Sequence, residues 1–157
     1  MSTRFTQRGT PMEDSQSLAL LMAAKAVHEA LICHVADALR ARDYPDISPS
    51  ILNFLGALDC GINFASDIAR RLKVSRQMVA KTVKELCQMG YLEQVEARGK
   101  QKQILFTATG ERLMSDVRKL LSQMDSALKK QVGATTLRET LSTLETIAWE
   151  IDRRLTK

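Results

Sequence analysis

The chain is 157 residues long, 26% charged and 4% aromatic, with a formal net charge of +5, three cysteines and two histidines. That length buries a core without metal or disulfide staples, no metal or disulfide framework follows from three widely spaced cysteines, and the scarcity of aromatics, Gly and Pro predicts a mainly α fold. No uninterrupted apolar run approaches the roughly 18 to 20 residues of a membrane helix, and "LALLMAA" from Leu18 follows Glu13 and Asp14 instead of a basic leader; a cytoplasmic protein without a membrane partner is expected.

Residues 1–14 lack periodicity and contain Gly9 and Pro11, which predicts a flexible arm. A long helix follows from Ser15 to about Arg42 within a first segment, 15–44; its narrow polar strip of Lys25, Glu29, Asp37 and Arg40 leaves Leu18, Leu21, Val27, Leu31, Val35 and Leu39 needing cover on several sides. After "DYPDISPS", Ser48 caps a helix with Pro49 in its first turn, carrying Ile51, Leu52, Phe54, Leu55 and Leu58 and ending near Cys60. "NFASDIARRLKV" predicts a short helix capped by Ser66, and Ser75 caps the next, whose inner stripe is Val79, Val83, Leu86 and Cys87 and which Gly90 stops.

From Tyr91 the period changes to alternation, so two strands form a hairpin through Arg98, Gly99 and Lys100. Thr107 caps a helix to about Gln131 with Leu113, Val117, Leu120, Leu121, Met124 and Leu128 on one side, and Gly133 breaks it. The last helix places Leu137, Leu141, Leu144, Ala148, Ile151 and Leu155 on a coiled-coil seam too short to stand alone, with Trp149 off the seam over a helix junction. The segments are thus 48–107, a winged helix-turn-helix, and 108–157, C-terminal helices that dimerise with the segment 15–44.

Charge is localised. Between Phe64 and Thr107 nine Lys or Arg meet four Asp or Glu, a surplus of five that equals the net charge of the whole chain. On the helix after Ser75, Gln77, Lys81 and Lys84 lie opposite Val79, Val83 and Leu86, while Ser75 and Arg76 sit where free backbone N–H groups attract phosphate. Such a helix fits the major groove of duplex DNA, which makes Gln77 and Lys81 the expected base readers; Arg98, Lys100 and Lys102 on a thin hairpin suit the phosphate backbone. A basic helical face is often only solvated, and a winged helix that meets an acidic protein without binding DNA is the alternative.

"ASDIARRLKVSRQMVAKTVKELCQMGYLEQV", the hairpin and "FTATGERLM" together resemble the multiple-antibiotic-resistance regulator (MarR) family of bacterial transcription factors. The pattern is met by Val74 to Leu86, Gly90, and Phe106 to Gly110; the wing lacks the family's Asp-x-Arg motif, and Thr82 stands where an apolar residue is usual. The resemblance implies a homodimer binding a near-palindromic operator, a repressor, and a possible small-molecule effector. His28 and His34 could line such an effector pocket or be satisfied interface residues; six apart, they do not share a face for a metal. The cysteines read as packing or, as in some of that family, as oxidant reporters. Nothing in the sequence pairs a nucleophile with a base or cradles a phosphate in glycines, so no catalytic residue, metal or cofactor is expected.

Overall fold

The computed structural model describes residues 3–5, 7–13, 15–96 and 102–155. These residues form β1 (Thr3–Phe5), β2 (Pro11–Glu13), α1 (Gln16–Arg40), α2 (Pro49–Leu55), α3 (Ala65–Leu72), α4 (Arg76–Gln88), β3 (Leu92–Glu96), β4 (Lys102–Phe106), α5 (Ala108–Val132) and α6 (Ala134–Leu155). The chain divides into two compact units, Met1–Leu113 and Met114–Lys157, with α5 passing from one to the other.

In the first unit, α1 packs on α2, α3 on α4, and α4 on β3. The core joins Val35, Ala36 and Leu39 of α1 with Leu52, Phe54 and Leu55 of α2, Ile68 and Ala69 of α3, and Val79, Val83 and Leu86 of α4. β3 and β4 pair antiparallel in the register Leu92↔Phe106 to Glu96↔Lys102, and Asn63 bridges to Ile104 on the other side of β4. β4 is therefore the middle of three paired segments, which accounts for the 1% exposure of Ile104.

Caps follow the sequence at most helix starts. Ser15, Ser48 and Ser75 accept hydrogen bonds from the backbone N–H of Leu18, Ile51 and Met78, each satisfying a donor that the first turn leaves open. At α3 the expectation is corrected: the cap position is Phe64, with no side-chain bond, and Ser66 lies inside the first turn. Pairing of Asn63 with Ile104 holds the chain extended up to Phe64, so its carbonyl accepts from Asp67 and Ile68 and the helix starts earlier. α2 also stops sooner than expected. Beyond Leu55 the bonds shorten to Ala57 N–H on Phe54 and Leu58 N–H on Leu55, a tighter turn that still buries Leu58.

The loop from α4 closes on the start of α5. Gly90 takes a φ of +80°, a conformation that favours glycine. The Thr107 hydroxyl donates to Gly90 O at 2.5 Å and accepts from Gly110 N–H at 3.0 Å, while Thr107 N–H donates to Tyr91 O at 3.1 Å. A side chain on Gly110 would collide with the Tyr91 carbonyl oxygen. These contacts give a physical reason for the Thr-x-x-Gly spacing.

Two expectations for the N-terminal part are revised. Where an arm without regular structure was expected, Thr3–Phe5 pairs with Pro11–Glu13; the ladder uses backbone groups, so residue patterning carried little sign of it. α1 is long and apolar enough, by length and composition, to cross a membrane, and so are core helices of soluble proteins. Lys25, Glu29 and the two histidines interrupt any continuous run but do not outweigh the surrounding Leu, Ala and Val over a whole window. Only its C-terminal third is buried; Leu18, Leu21, Met22 and Val27 are exposed.

In the second unit, α5 ends at Val132 and α6 follows from Ala134. On α6, Leu141, Leu144 and Ile151 of the expected seam are exposed. Trp149 does not cover a junction within the chain: it is 62% exposed, with the Arg153 guanidinium 5.2 Å from its ring centre.

Candidate nucleic-acid interface

The α3–α4 pair turns at Lys73, whose φ of 54° reverses the chain, and Val74 N–H then bonds back to Ala69 O at 3.1 Å. Ser75 starts α4, accepting from Met78 N–H at 3.1 Å. Because Val79, Val83 and Leu86 are at most 1% exposed, the helix cannot rotate, and Gln77, Lys81 and Lys84 are held outward. Arg76 is exposed in the first turn, at the positive end of the helix dipole.

The structure thus brings Ser75, Arg76, Gln77, Lys81 and Lys84 onto one helix, and places Lys102 exposed at the start of β4 opposite Glu96. Arg98 and Lys100 lie outside the described residues. His28 and His34 are both exposed on α1.

The surplus of cations is distributed less evenly than the sequence count suggests. Arg70 pairs with Asp67 at 3.1 Å within α3, and Lys81 Nζ lies 4.0 Å from Glu85, both exposed pairs of small energetic weight. Arg71 is engaged by the loop before α3: its Nη1 donates to Ala57 O at 3.0 Å and its Nη2 to Asp59 Oδ2 at 2.5 Å. That hydrogen bond holds the Asp59 carboxyl below its ordinary range and raises Arg71 above its own. Arg76 and Lys84 have no ion-pair partner among the described residues.

Sequence reasoning missed two features. A groove of about 420 Å³ runs between α2 and α4, with Ile51, Phe54, Leu72 and Met78 giving it apolar surface and Thr82 and Glu85 polar surface. Thr82, unusual as a packing residue, is half-buried along that groove and not in the core. Met78 is 56% exposed. The second is Asn63, buried to 4% exposure, whose side chain accepts from Asp59 N–H and donates to Asp59 O and Gly61 O. Asn63 stands between Ile62 and Phe64, two residues after Gly61, and its partners are backbone groups that residue patterning does not mark.

Of the cysteines, Cys33 and Cys60 are exposed and Cys87 is half-buried. Burial, with a smaller contribution from Glu93, pushes the Cys87 thiol up, which disfavours the reactive thiolate. Burial likewise raises Tyr91, whose ring lies 6.5 Å from that of Tyr44.

Comparison with known proteins gives a consistent outline. No model of a protein family matches the chain. A stretch of 91 residues, 57% of the chain, is 24% identical to the HTH-type transcriptional regulator BilQ of Clostridioides difficile, and the match spans 60% of that protein's length. Among solved structures, wild-type MarR of E. coli in its apo form superposes with a TM-score of 0.68 at 15% identity, covering 87% of this chain and 98% of the other. Streptococcus pneumoniae FabT in complex with DNA gives 0.73 at 13% identity over 88% and 99%, and the S. aureus MepR–DNA complex 0.64 at 17% over 88% and 99%. The chain has the winged-helix fold of the MarR regulators.

Proposed function

We propose that the chain belongs to the MarR family and is a double-stranded DNA-binding transcription regulator. The observation that carries this reading is α4: a Ser-capped helix, locked by three buried residues, that turns Gln77, Lys81 and Lys84 outward with Arg76 at its positive end. Gln77 and Lys81 read base edges in the major groove; Ser75, Arg76 and Lys84 grip the flanking phosphates. Lys102, with Arg98 and Lys100, supplies the wing's contact to the backbone. FabT and MepR, both solved with DNA, share the fold and support the reading.

The regulator works as a homodimer, a cytoplasmic protein and not an enzyme. Leu18, Leu21, Met22 and Val27 on α1 and Leu141, Leu144 and Ile151 on α6 are exposed in the single chain, and isolated apolar surface of this extent calls for a partner. Two-fold pairing presents two recognition helices to successive major grooves about 34 Å apart, which favours a near-palindromic operator. A small effector that alters this separation releases the DNA, making the protein a ligand-responsive repressor, with His28 and His34 as the polar residues of α1 for such a pocket.

Titration of duplex DNA at several salt concentrations tests the proposal. Affinity is expected to fall linearly in log–log form as salt rises, with a slope set by the phosphates neutralised. Weak binding to every duplex with a flat salt response would instead favour a winged-helix module that contacts an acidic protein.

A further inference from the structure

A densely hydrogen-bonded polar residue of the first unit, Asn63, lies outside α4. Asn63 exchanges two backbone hydrogen bonds with Ile104 of β4, its N–H donating at 3.1 Å and its carbonyl accepting at 2.8 Å. Its amide meanwhile grips the preceding loop at three points, accepting from Asp59 N–H at 2.8 Å and donating to Asp59 O at 2.9 Å and Gly61 O at 3.0 Å. Arg71, on the last turn of α3, closes the same loop from the other side through Ala57 O and the Asp59 carboxylate. A continuous path of hydrogen bonds therefore runs from α3 through the Ala57–Gly61 loop and Asn63 to the central strand of the wing.

The path carries a cost that packing alone does not require. Asn63 is the buried polar residue among the described residues, and burying an amide is unfavourable unless its donors and acceptor are all engaged. Here they are. An exposed Arg–Asp pair is worth little by itself, yet Arg71 also holds a backbone carbonyl, and a fork fixed at two points restricts the loop more than a single ion pair does. Lys102 lies two residues from Ile104 on the same strand, about 7 Å away at strand rise.

We infer that Asp59, Asn63 and Arg71 form a clasp that positions the wing against the α3–α4 pair, so that Arg71 serves DNA binding through the wing and not by touching phosphate. This rests on the DNA-binding reading above. With the clasp closed, Lys102 on β4 and the cations of α4 meet one duplex as a single surface; with it open, β4 keeps its pairing to β3 but loses the tie that sets its position relative to α3.

The two roles for Arg71 predict opposite signs at its partner. Were Arg71 a phosphate contact restrained by Asp59, Asp59→Ala would free a cation and remove a like charge near DNA, tightening binding. A positioning clasp predicts weaker binding. The experiment uses the full chain and a fluorescent duplex that the wild-type protein recovers from a random-sequence pool, read by anisotropy at fixed salt. Asp59→Ala and Arg71→Ala are each expected to weaken binding about three-fold or more, and both effects to vanish when Arg98, Lys100 and Lys102 are already Ala, because residues acting through one element are not additive. Both substitutions are at exposed positions, and thermal melts verify folding; the buried Asn63→Ala is a supporting variant only. Tighter or unchanged binding by Asp59→Ala, or losses that persist in full without the wing cations, would overturn the clasp. A wild-type chain that recovers no duplex overturns the DNA-binding reading and the clasp's role together.

Discussion

Gly110→Ala sets two well-defined energies against each other. Gly110 lies in the first turn of α5, where alanine is the better helix former by up to about 1 kcal/mol, so propensity alone forecasts a stabilised protein. The packing forecasts the reverse. A Cβ there would lie 3.0 Å from Phe106 Cδ1 and from the Tyr91 carbonyl carbon, and closer still to the Tyr91 oxygen; carbon atoms normally rest about 3.5 to 4.0 Å apart. Phe106 can tilt, but the Tyr91 carbonyl is backbone and already accepts from Thr107 N–H. Relief requires α5 to lift from the turn, straining the Thr107 bonds to Gly90 and Tyr91 together. Overpacking costs about 1 to 3 kcal/mol, and a rigid neighbour puts this site at the upper end, which leaves a net loss of about 2 kcal/mol after the propensity gain. For a chain of this size each kcal/mol moves the melting midpoint by about 2 to 4 °C, so calorimetry or circular dichroism is expected to show a fall of roughly 4 to 8 °C. Gly61→Ala, where the added methyl meets open space, is the control. A Gly110→Ala protein that melts at or above the wild-type temperature would refute the close-contact account of the Thr-x-x-Gly motif.

Ser75→Ala removes the acceptor for Met78 N–H and is expected to cost about 0.5 to 2 kcal/mol in urea denaturation; a smaller loss would mean that water caps α4 equally well. Lys81→Ala is expected to change which bases are preferred in a selected pool, whereas Lys102→Ala weakens all duplexes alike and lowers the salt slope by about one. The reverse outcome would exchange the roles of helix and wing. With its thiol raised by burial and Glu93, Cys87 is expected to react with a maleimide more slowly at pH 8 than the exposed Cys60, as counted by peptide mass; equal rates would remove the case for an inert Cys87.

The fold was readable wherever local chemistry and long-range packing agree. Ser48, Ser75 and Thr107 each stand before an apolar period and each caps the helix it was expected to cap. The change from helical to alternating period after Gly90 marks β3 and β4 correctly. Reading failed where a tertiary partner decides. Ser66 is a good cap by composition, but Asn63 pairing with Ile104 extends the chain and moves the cap position to Phe64. Leu58 keeps the apolar rhythm of α2 even though the backbone has tightened into another turn, because periodicity reports burial more faithfully than hydrogen-bond pattern. The β1–β2 ladder is made of backbone groups and has little side-chain signature.

The same distinction governs the basic surface. Helical spacing separates Gln77, Lys81 and Lys84 from Val79, Val83 and Leu86, and the structure keeps that separation because burial of one stripe fixes the direction of the other. Counting charges along the chain could not anticipate Arg71, whose acidic partner, Asp59, lies outside the segment with the surplus. A guanidinium engaged by a carboxylate and a carbonyl contributes orientation to the loop more than attraction to a polyanion, so the steering field of this face comes from fewer cations than the sequence displays. If DNA binding is measured against salt, the slope should therefore follow the cations on α4 and the wing, and neutralising Arg71 should alter it only as far as the wing ceases to reach the duplex.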